Sequence, residues 1–403
     1  MKLMVVGHPF LLAHNQQKYV AMKHLDKDLR LRLVVPSRWQ ERFDPADCEV
    51  HPALSAKEVV PLKAHMTKSH MTYVHAPGRL AAMLRSFRPD VIHVEEEPQA
   101  MIALETIALR SAFAPRAAIA LFTWDNILRR RRFPLSLAKR RLRAYSLRRA
   151  SLVICGNRQA ADLLRAEGRF RGTVEILPQY GLDVTAHQPG TEPRMRDKLG
   201  LQAGPVIGYV GRLVPEKGLG LLFEALAKLQ NCPWKLLLVG AGPLEQEIRR
   251  RWMAMLPGRV VLVPAVSYEQ VPRYLRCLDI FVLTSQSTTI WKEQFGLSLA
   301  QAMMLGIPCI GSTSGAIPEV LGPGGLLFQE GQSDDLRRHL AALLDSPALR
   351  EQLGDQGRRF ALQYYTVEGV GKRYLAAFDK ALNRSSTLAR AAEDVVAYRS
   401  IAS

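Results

Sequence analysis

Glu293 lies in a polar loop, Thr284 to Gln294, between an apolar run, Asp279 to Leu283, and the Phe295-Gly296-Leu297 that opens a helix-like stretch from Ser298 to Leu305. That stretch stops at Gly306, and a second short strand follows from Pro308 to Gly311. Strand, polar loop and helix start together make the geometry of an anion site. The first N–H groups of a helix have no partner within it, and they carry the positive end of its dipole. Gln301 stands one turn further on, on the same side as those N–H groups. A carboxylate, a row of N–H groups and an amide, in that order, suit a sugar, its phosphates and a ribose.

A second cluster precedes it. Gly208-Tyr209-Val210 ends a strand at Gly211, and Arg212 and Lys217 follow before a helix begins near Gly218. Arg212 offers a planar fork of donors and Lys217 a point charge, which beside a helix start would neutralise a diphosphate. On composition alone an exposed basic loop is the commoner origin of such residues; the Glu293 segment on the same chain favours the diphosphate. Gly240-Ala241-Gly242 resembles a nucleotide turn but lacks the third glycine of the dinucleotide fingerprint. There is no G-x-x-x-x-G-K-[ST] loop, which excludes P-loop chemistry.

The first half carries a different set. Gly7 is followed by His8-Pro9, and Pro89-Asp90-Val91-Ile92-His93-Val94 runs into Glu95-Glu96-Glu97. Three adjacent carboxylates at a strand end would raise one another's pKa unless cations sit near. They could position a hydroxyl or accept its proton; a solvated acidic helix start before Pro98 is the alternative. Trp124, Asp125 and Asn126 follow another strand, with Trp124 a possible stacking platform for a sugar. From Arg129 to Arg149 there are ten basic residues and no acidic one, interleaved with Phe133, Leu135, Leu142 and Tyr145. Such a helix suits an anionic membrane leaflet. A nucleic-acid backbone is the rival partner and a plain solvated helix the third reading.

These residues need elements to hold them. The 403 residues allow two domains, each with its own core. Hydrophobic content of 48% and charged content of 23% are ordinary for a globular enzyme, whereas the net charge of +18 implies an anionic partner. Five dispersed cysteines without a C-x-x-C pair argue for reduced core thiols and against a disulfide framework or zinc. No apolar stretch is long enough to span a bilayer, and the start MKLMVVG reads as a strand rather than a signal peptide.

Strands are expected at Lys2–Gly7, Leu31–Pro36, Val91–Val94, Ala117–Phe122, Leu152–Cys155 and Val174–Leu177, with helices between them at about Gln17–Leu25, Leu80–Phe87 and Pro98–Arg110. After a polar linker, Asp183 to Lys198, the pattern restarts at Val206–Val210, Lys235–Val239, Val260–Val263, Asp279–Leu283 and Pro308–Ile310. Leu222, Ala225, Leu226 and Leu229 repeat at helical spacing within Gly218–Leu229. Alternating strand and helix predict an α/β chain of two doubly wound, Rossmann-like domains, residues 1–185 and 186–366, facing across a cleft. A last helix, 367–383, and a tail, 384–403, complete the chain.

The order and spacing of Glu293, Phe295-Gly296-Leu297 and the Gly-x-Pro strand resemble the signature of glycosyltransferase family 4, an acid-x7-acid pattern; Gln301 stands where the second acid would be. Gly211-Arg212-Leu213 with Glu216-Lys217-Gly218 is similar to the same family's diphosphate loop, and Pro89–His93 to its Pro-Asp-x-x-His strand; a second histidine usual there is replaced by the glutamates. The resemblance implies the GT-B fold, with the last helix crossing back to the first domain, and transfer from a nucleotide sugar with retention of configuration. It implies that Arg212 and Lys217 bind the diphosphate, that Glu293 holds the sugar, and that Gly211, Val266, Phe295, Gly296, Leu297 and Gln301 complete the donor site. The acceptor-side candidates are His8, His93, Glu95, Glu96, Trp124, Asp125 and Asn126. No metal or cofactor is needed, because cations and N–H groups stabilise the leaving diphosphate.

The acceptor is expected to be a glycan or lipid-linked molecule of cell-envelope polysaccharide or glycolipid synthesis. The expected location is cytoplasmic, peripheral on the inner face of the membrane through Arg129–Arg149, with nucleic acid not expected as a partner. A nucleotide-sugar epimerase of the same fold, or a non-catalytic adaptor binding nucleic acid or membrane, are the alternatives.

Overall fold

The computed structural model describes residues 1–40, 45–127 and 134–383. Contacts divide the chain into two units. One joins Met1–Gly181 to the chain from Val367 onward; the other is Leu182–Thr366. The tail from residue 384 and the basic residues Arg129 to Arg132 lie outside the described residues.

The first unit is built on seven parallel strands: β1 Lys2–Val6, β2 Arg30–Pro36, β3 Val59–Leu62, β4 Val91–Val94, β5 Ala118–Thr123, β6 Leu152–Cys155 and β7 Thr173–Ile176. Their order is β7-β6-β5-β4-β1-β2-β3. The central strands are apolar along almost their whole length because helices cover both faces of a parallel sheet. One face packs Leu80, Leu84, Ile102, Ile107 and Leu147; the other packs Tyr19, Met22, Tyr374 and Phe378. Tyr374 and Phe378 belong to the helix at residues 367–383 and are fully buried, each contributing about 1.5–3 kcal/mol by burial. Strand β3 was not expected, because Pro61 breaks its pattern; it lies at the sheet edge, where a missing N–H is tolerated. Two short antiparallel ribbons, Arg38–Gln40 with Pro45–Asp47 and Ala64–His65 with Val74–His75, were also unforeseen.

The second unit has six parallel strands: β8 Val206–Val210, β9 Lys235–Val239, β10 Val260–Val263, β11 Ile280–Leu283, β12 Cys309–Ser312 and β13 Gly325–Phe328. They are ordered β10-β9-β8-β11-β12-β13. The polar stretch read as linker contains a short helix, Pro193–Lys198.

Both sheets reverse direction at one place. In the first, the chain winds one way from β1 to β3 and the other way from β4 to β7, so β1 and β4 flank the reversal. In the second, β8 and β11 flank it. Ligands of open α/β sheets bind beyond the carboxyl ends of such a strand pair, because the flanking loops diverge there and leave a crevice.

Candidate functional site

At the reversal of the second sheet, the loops after β8 and β11 are knitted together by backbone-directed bonds. Thr284 Oγ1 donates to the Lys217 carbonyl at 2.8 Å, and the Gln286 N–H donates to the Glu216 carbonyl at 2.8 Å. Gly218 makes the approach possible. Its φ is +64°, and a Cβ there would fall 2.1 Å from the Thr284 oxygen. The result brings Lys217 Nζ within 2.5 Å of Glu293 Oε2, which also accepts from Ser285 Oγ at 2.6 Å. Ser285 is held in turn by Ser312 Oγ, which donates to its carbonyl at 2.5 Å. From the other side Gly315, φ +54°, lies against the Glu293 carbonyl, which accepts from the Ala316 N–H at 2.9 Å.

The pair is sheltered but not sealed: the side chains of Lys217 and Glu293 are 13% and 8% exposed. Trp291 places its ring 5.0 Å from Lys217 Nζ. Glu330 grips the same loop through the N–H and hydroxyl of Ser287. Next to Glu293, Gly296 adopts φ +81° and starts the helix Leu297–Met304, whose N-terminus has no side-chain cap. Arg212 is exposed, and its carbonyl accepts from Tyr209 Oη at 2.7 Å, which fixes the turn after Gly211. Phe295 is an anchor, edge-on to Tyr365 at 5.5 Å, and Leu297 packs on the same core. Val266 is half-buried after β10. Gln301 is buried, and its side chain hydrogen-bonds with that of Tyr268. Lys217, Ser285 and Glu293 are thus in direct contact, one turn of chain from an uncapped helix start.

At the reversal of the first sheet the three glutamates behave differently from expectation. They neither repel one another nor form a solvated helix start: Glu95 and Glu96 are buried, and each of the three turns to its own partner. Glu95 accepts from Lys18 Nζ and lies 2.9 Å from His93 Nε2. Burial works against its charge, but Lys18 and His93 outweigh it and hold the carboxyl below its usual range. Burial in turn pulls the Lys18 ammonium down to about 8. Glu96 accepts from Tyr73 Oη at 2.9 Å, from the His8 N–H at 2.9 Å and from the His8 imidazole. Glu97 accepts from Thr123 Oγ1 at 2.7 Å and from the Trp124 N–H at 2.8 Å. Burial, then the negative charge of Asp125, pushes Glu97 up to about 7.

Other acceptor-side candidates sit inside the fold. His93 is fully buried against Tyr374 and Phe378. One face of Trp124 is covered by Gly156, whose Cβ would fall 2.0 Å from the ring, and its Nε1 donates to Gln179 at 3.0 Å. That face is closed to a sugar. Asn126 is buried and Asp125 half-buried. The basic helix, described from Pro134 to Arg149, is not charged all round: Arg143, Ala144, Ser146 and Leu147 face inward. Arg143 is bound by Glu167 at 2.9 Å and Gln99 at 3.2 Å. Leu137, Lys139, Arg140, Arg141, Arg148 and Arg149 are exposed.

Residues 191–360 match the family described as glycosyl transferases group 1, and residues 18–179 match the glycosyl transferase 4-like domain. The chain belongs to the family 4-like glycosyltransferases of the GT-B fold. Members of that family transfer glycosyl groups. Among relatives, a GDP-mannose-dependent monoacylated alpha-(1-6)-phosphatidylinositol monomannoside mannosyltransferase of Corynebacterium glutamicum is 31% identical over 50% of this chain and 55% of its own length. The 2-deoxystreptamine glucosyltransferase of Streptomyces kanamyceticus is 27% identical over 60% of this chain and 63% of its own. The chain thus spans little more than half the length of these relatives. The fold is similar to that of Anabaena HepE in complex with UDP, with TM-score 0.71 and 18% identity over 94% of this chain and 100% of that one. Sucrose-phosphate synthase of Thermosynechococcus elongatus matches equally, with TM-score 0.71 and 18% identity over 95% and 100%.

Several residues that shape these sites escaped the sequence reading. Lys18 sits in the helix Gln17–Leu25 like any surface lysine, and nothing near it in sequence announces a carboxylate 77 positions away. Tyr73 and Trp39 stand in the short ribbons or beside them. Ser285, eight residues before Glu293, could have been suspected from its place at the strand end.

Proposed function

We propose that the chain transfers a sugar from a nucleotide-sugar donor to a glycan or lipid-linked acceptor, with retention of configuration. The observation that carries this reading is the Lys217–Glu293–Ser285 contact at the reversal of the second sheet, beside an uncapped helix N-terminus and the exposed Arg212. Without donor, Lys217 neutralises Glu293. With donor, the diphosphate competes for Lys217 and for the helix N–H groups, and Glu293 is released to accept from sugar hydroxyls. Charge building on the leaving diphosphate then meets Arg212, Lys217 and the helix dipole already in place, which is electrostatic preorganisation. Gln301 would offer its amide to the ribose without charge assistance. No group in this account requires a metal or a cofactor.

UDP and GDP sugars are the first donors to try, since HepE is described with UDP and the corynebacterial relative as GDP-mannose-dependent. The exposed cationic face of Pro134–Arg149 supports a lipid-linked acceptor met at an anionic membrane surface. No described helix is long and apolar enough to cross a membrane.

A thermal-shift screen against UDP-, GDP-, ADP- and dTDP-sugars tests the reading. A ligand at a hundredfold its Kd adds about 2.7 kcal/mol of stability. One nucleotide sugar is expected to stabilise the chain, and Lys217→Ala and Glu293→Ala to weaken that shift. If the folded chain responds to none of them, the reading fails.

A further inference from the structure

We propose that Trp291 is the platform on which the sugar ring of the donor stacks, and that the sugar it accepts is a neutral pyranose. The inference rests on the nucleotide-sugar reading above and adds a specificity residue to it. Every group it uses lies within the second unit.

The first observation is position. Trp291 stands two residues before Glu293, and its ring centroid lies 5.0 Å from Lys217 Nζ, the same nitrogen that meets Glu293 Oε2 at 2.5 Å. The lysine is thus shared between a carboxylate and an aromatic face. A diphosphate that draws Lys217 away from Glu293 also draws it from the indole. The sugar bonded to that diphosphate arrives beside both.

The second observation is chemical. The face of an indole carries negative potential, which is why an ammonium rests on it. The C–H groups on one face of a pyranose are apolar and weakly positive, so they suit that face once the ammonium has turned to phosphate. The hydroxyls at the rim of the ring are left to Glu293. An aromatic face for the C–H groups and a carboxylate for the hydroxyls make a matched pair for a neutral sugar. Neither attracts a bare phosphate.

The third observation is that the indole is held in place without being part of the core. The loop tip closes on itself: the Thr288 N–H donates to the Trp291 carbonyl at 2.8 Å, and the Trp291 N–H donates to Thr288 Oγ1 at 2.9 Å. Below the tip, Glu330 holds Ser287, whose hydroxyl lies 3.1 Å from Ser314 Oγ. The loop therefore needs little ordering when a sugar binds, which spares affinity. Among the described residues Trp291 is half-buried and does not pack against the hydrophobic core of its unit. Tyr209 and Phe295, at the same sheet edge, are committed to that core.

The test uses the full chain, the nucleotide sugar that stabilises it most and the matching nucleoside diphosphate, each titrated by calorimetry. The readout is the ratio of the two affinities, because a change in Lys217 and its hold on the diphosphate cancels in it. Trp291→Leu keeps an apolar side chain but has no aromatic face, and is expected to shift the ratio against the nucleotide sugar roughly 3- to 10-fold. Trp291→Phe keeps a face and should stay within roughly twofold of the wild type. Acrylamide quenching of tryptophan emission in the wild type should weaken more with the nucleotide sugar than with the diphosphate, because the sugar covers the ring. Trp291→Phe should erase that difference. An unchanged ratio in Trp291→Leu overturns the proposal, as does equal shielding by the sugar-bearing and bare nucleotides; the ring then serves Lys217 alone. If Trp291→Leu does not fold, the quenching comparison decides by itself. Either of those failures leaves the nucleotide-sugar reading standing, whereas a wild-type chain that binds no nucleotide sugar overturns that reading and this inference with it.

Discussion

The two sheet reversals occupy the same topological place and hold their charges in opposite ways. In the second unit a lysine and a glutamate face each other near the surface, with Ser285 also donating to the glutamate and the Trp291 ring beside the lysine. In the first unit Lys18 and Glu95 form a comparable pair, but at 1% and 0% side-chain exposure, ringed by Phe10, Tyr19 and Tyr374. A partly exposed pair can exchange one partner for a ligand, because water and the ligand share the cost of separating the charges. A buried pair cannot, because the abandoned charge has nowhere to go. The same chemistry is exchangeable in one unit and structural in the other.

Replacing the two lysines tests that contrast most severely. Lys18→Met strands Glu95 in the core and is expected to cost about 3–5 kcal/mol in urea unfolding. Adding Glu95→Gln should recover much of the loss, since the penalty belongs to the unpaired charge. Lys217→Met should cost less stability than Lys18→Met yet erase the thermal shift given by nucleotide sugars. Equal stability losses at the two sites would remove the distinction.

Glu293→Gln sharpens the other half. It keeps the shape of the side chain, removes a negative charge beside the diphosphate position and frees Lys217. Binding of UDP or GDP alone should hold or tighten, while turnover of the nucleotide sugar falls roughly 100-fold, in the range for lost transition-state electrostatics. Isothermal titration with the nucleoside diphosphate and a turnover assay read the two effects separately. A parallel loss of both would place Glu293 in the scaffold of the loop.

Glu97 gives a smaller effect with a defined sign. Its carboxyl is pushed up to about 7 in the folded chain, from an ordinary value of 4.5. The folded state therefore holds this proton more tightly than the unfolded one. The resulting stability is complete below pH 4.5 and is lost as pH rises through 7. Measured as wild type minus Glu97→Gln, urea stability should fall between those values and be flat above them. A flat difference throughout would mean that Arg143 and the Thr123 and Trp124 donors already neutralise the burial.

How much of this was written in the sequence depends on the range of each contact. Val206–Val210, Lys235–Val239 and Val260–Val263 were legible to the residue, because buried parallel strands are short apolar runs bounded by turn residues. Arg212, Lys217 and Glu293 stood out because the loops that carry them are marked by glycines at fixed places. The run Glu95-Glu96-Glu97 was visible but its meaning was not. Adjacent positions suggest mutual repulsion, whereas each side chain answers to a partner far away in sequence, Lys18 and His8 at 77 and 88 positions. Local pattern predicts local structure; the partners of buried charges are set by topology.

The basic helix extends the comparison to a surface. Arg143, on its inward side, is committed to Glu167, Gln99 and the neighbourhood of Glu97 at 3.9 Å, and so belongs with the structural charges of the first unit. Arg148 and Arg149, on the outward side, are exposed like Arg212 in the second unit. If exposure marks exchangeable charge here too, Arg148→Ala and Arg149→Ala should each weaken binding to phosphatidylglycerol-containing vesicles by about 1 kcal/mol, roughly fivefold, with stability unchanged. Arg143→Met should do the reverse, lowering urea stability while leaving vesicle binding nearly intact. The vesicle effect should fade as salt is raised, since the Debye length shrinks from about 10 Å at 0.1 M to about 3 Å at 1 M. Binding that is equal on phosphatidylcholine vesicles, or insensitive to salt, would mean that the outward cations have no anionic surface to meet and serve only to keep the helix solvated.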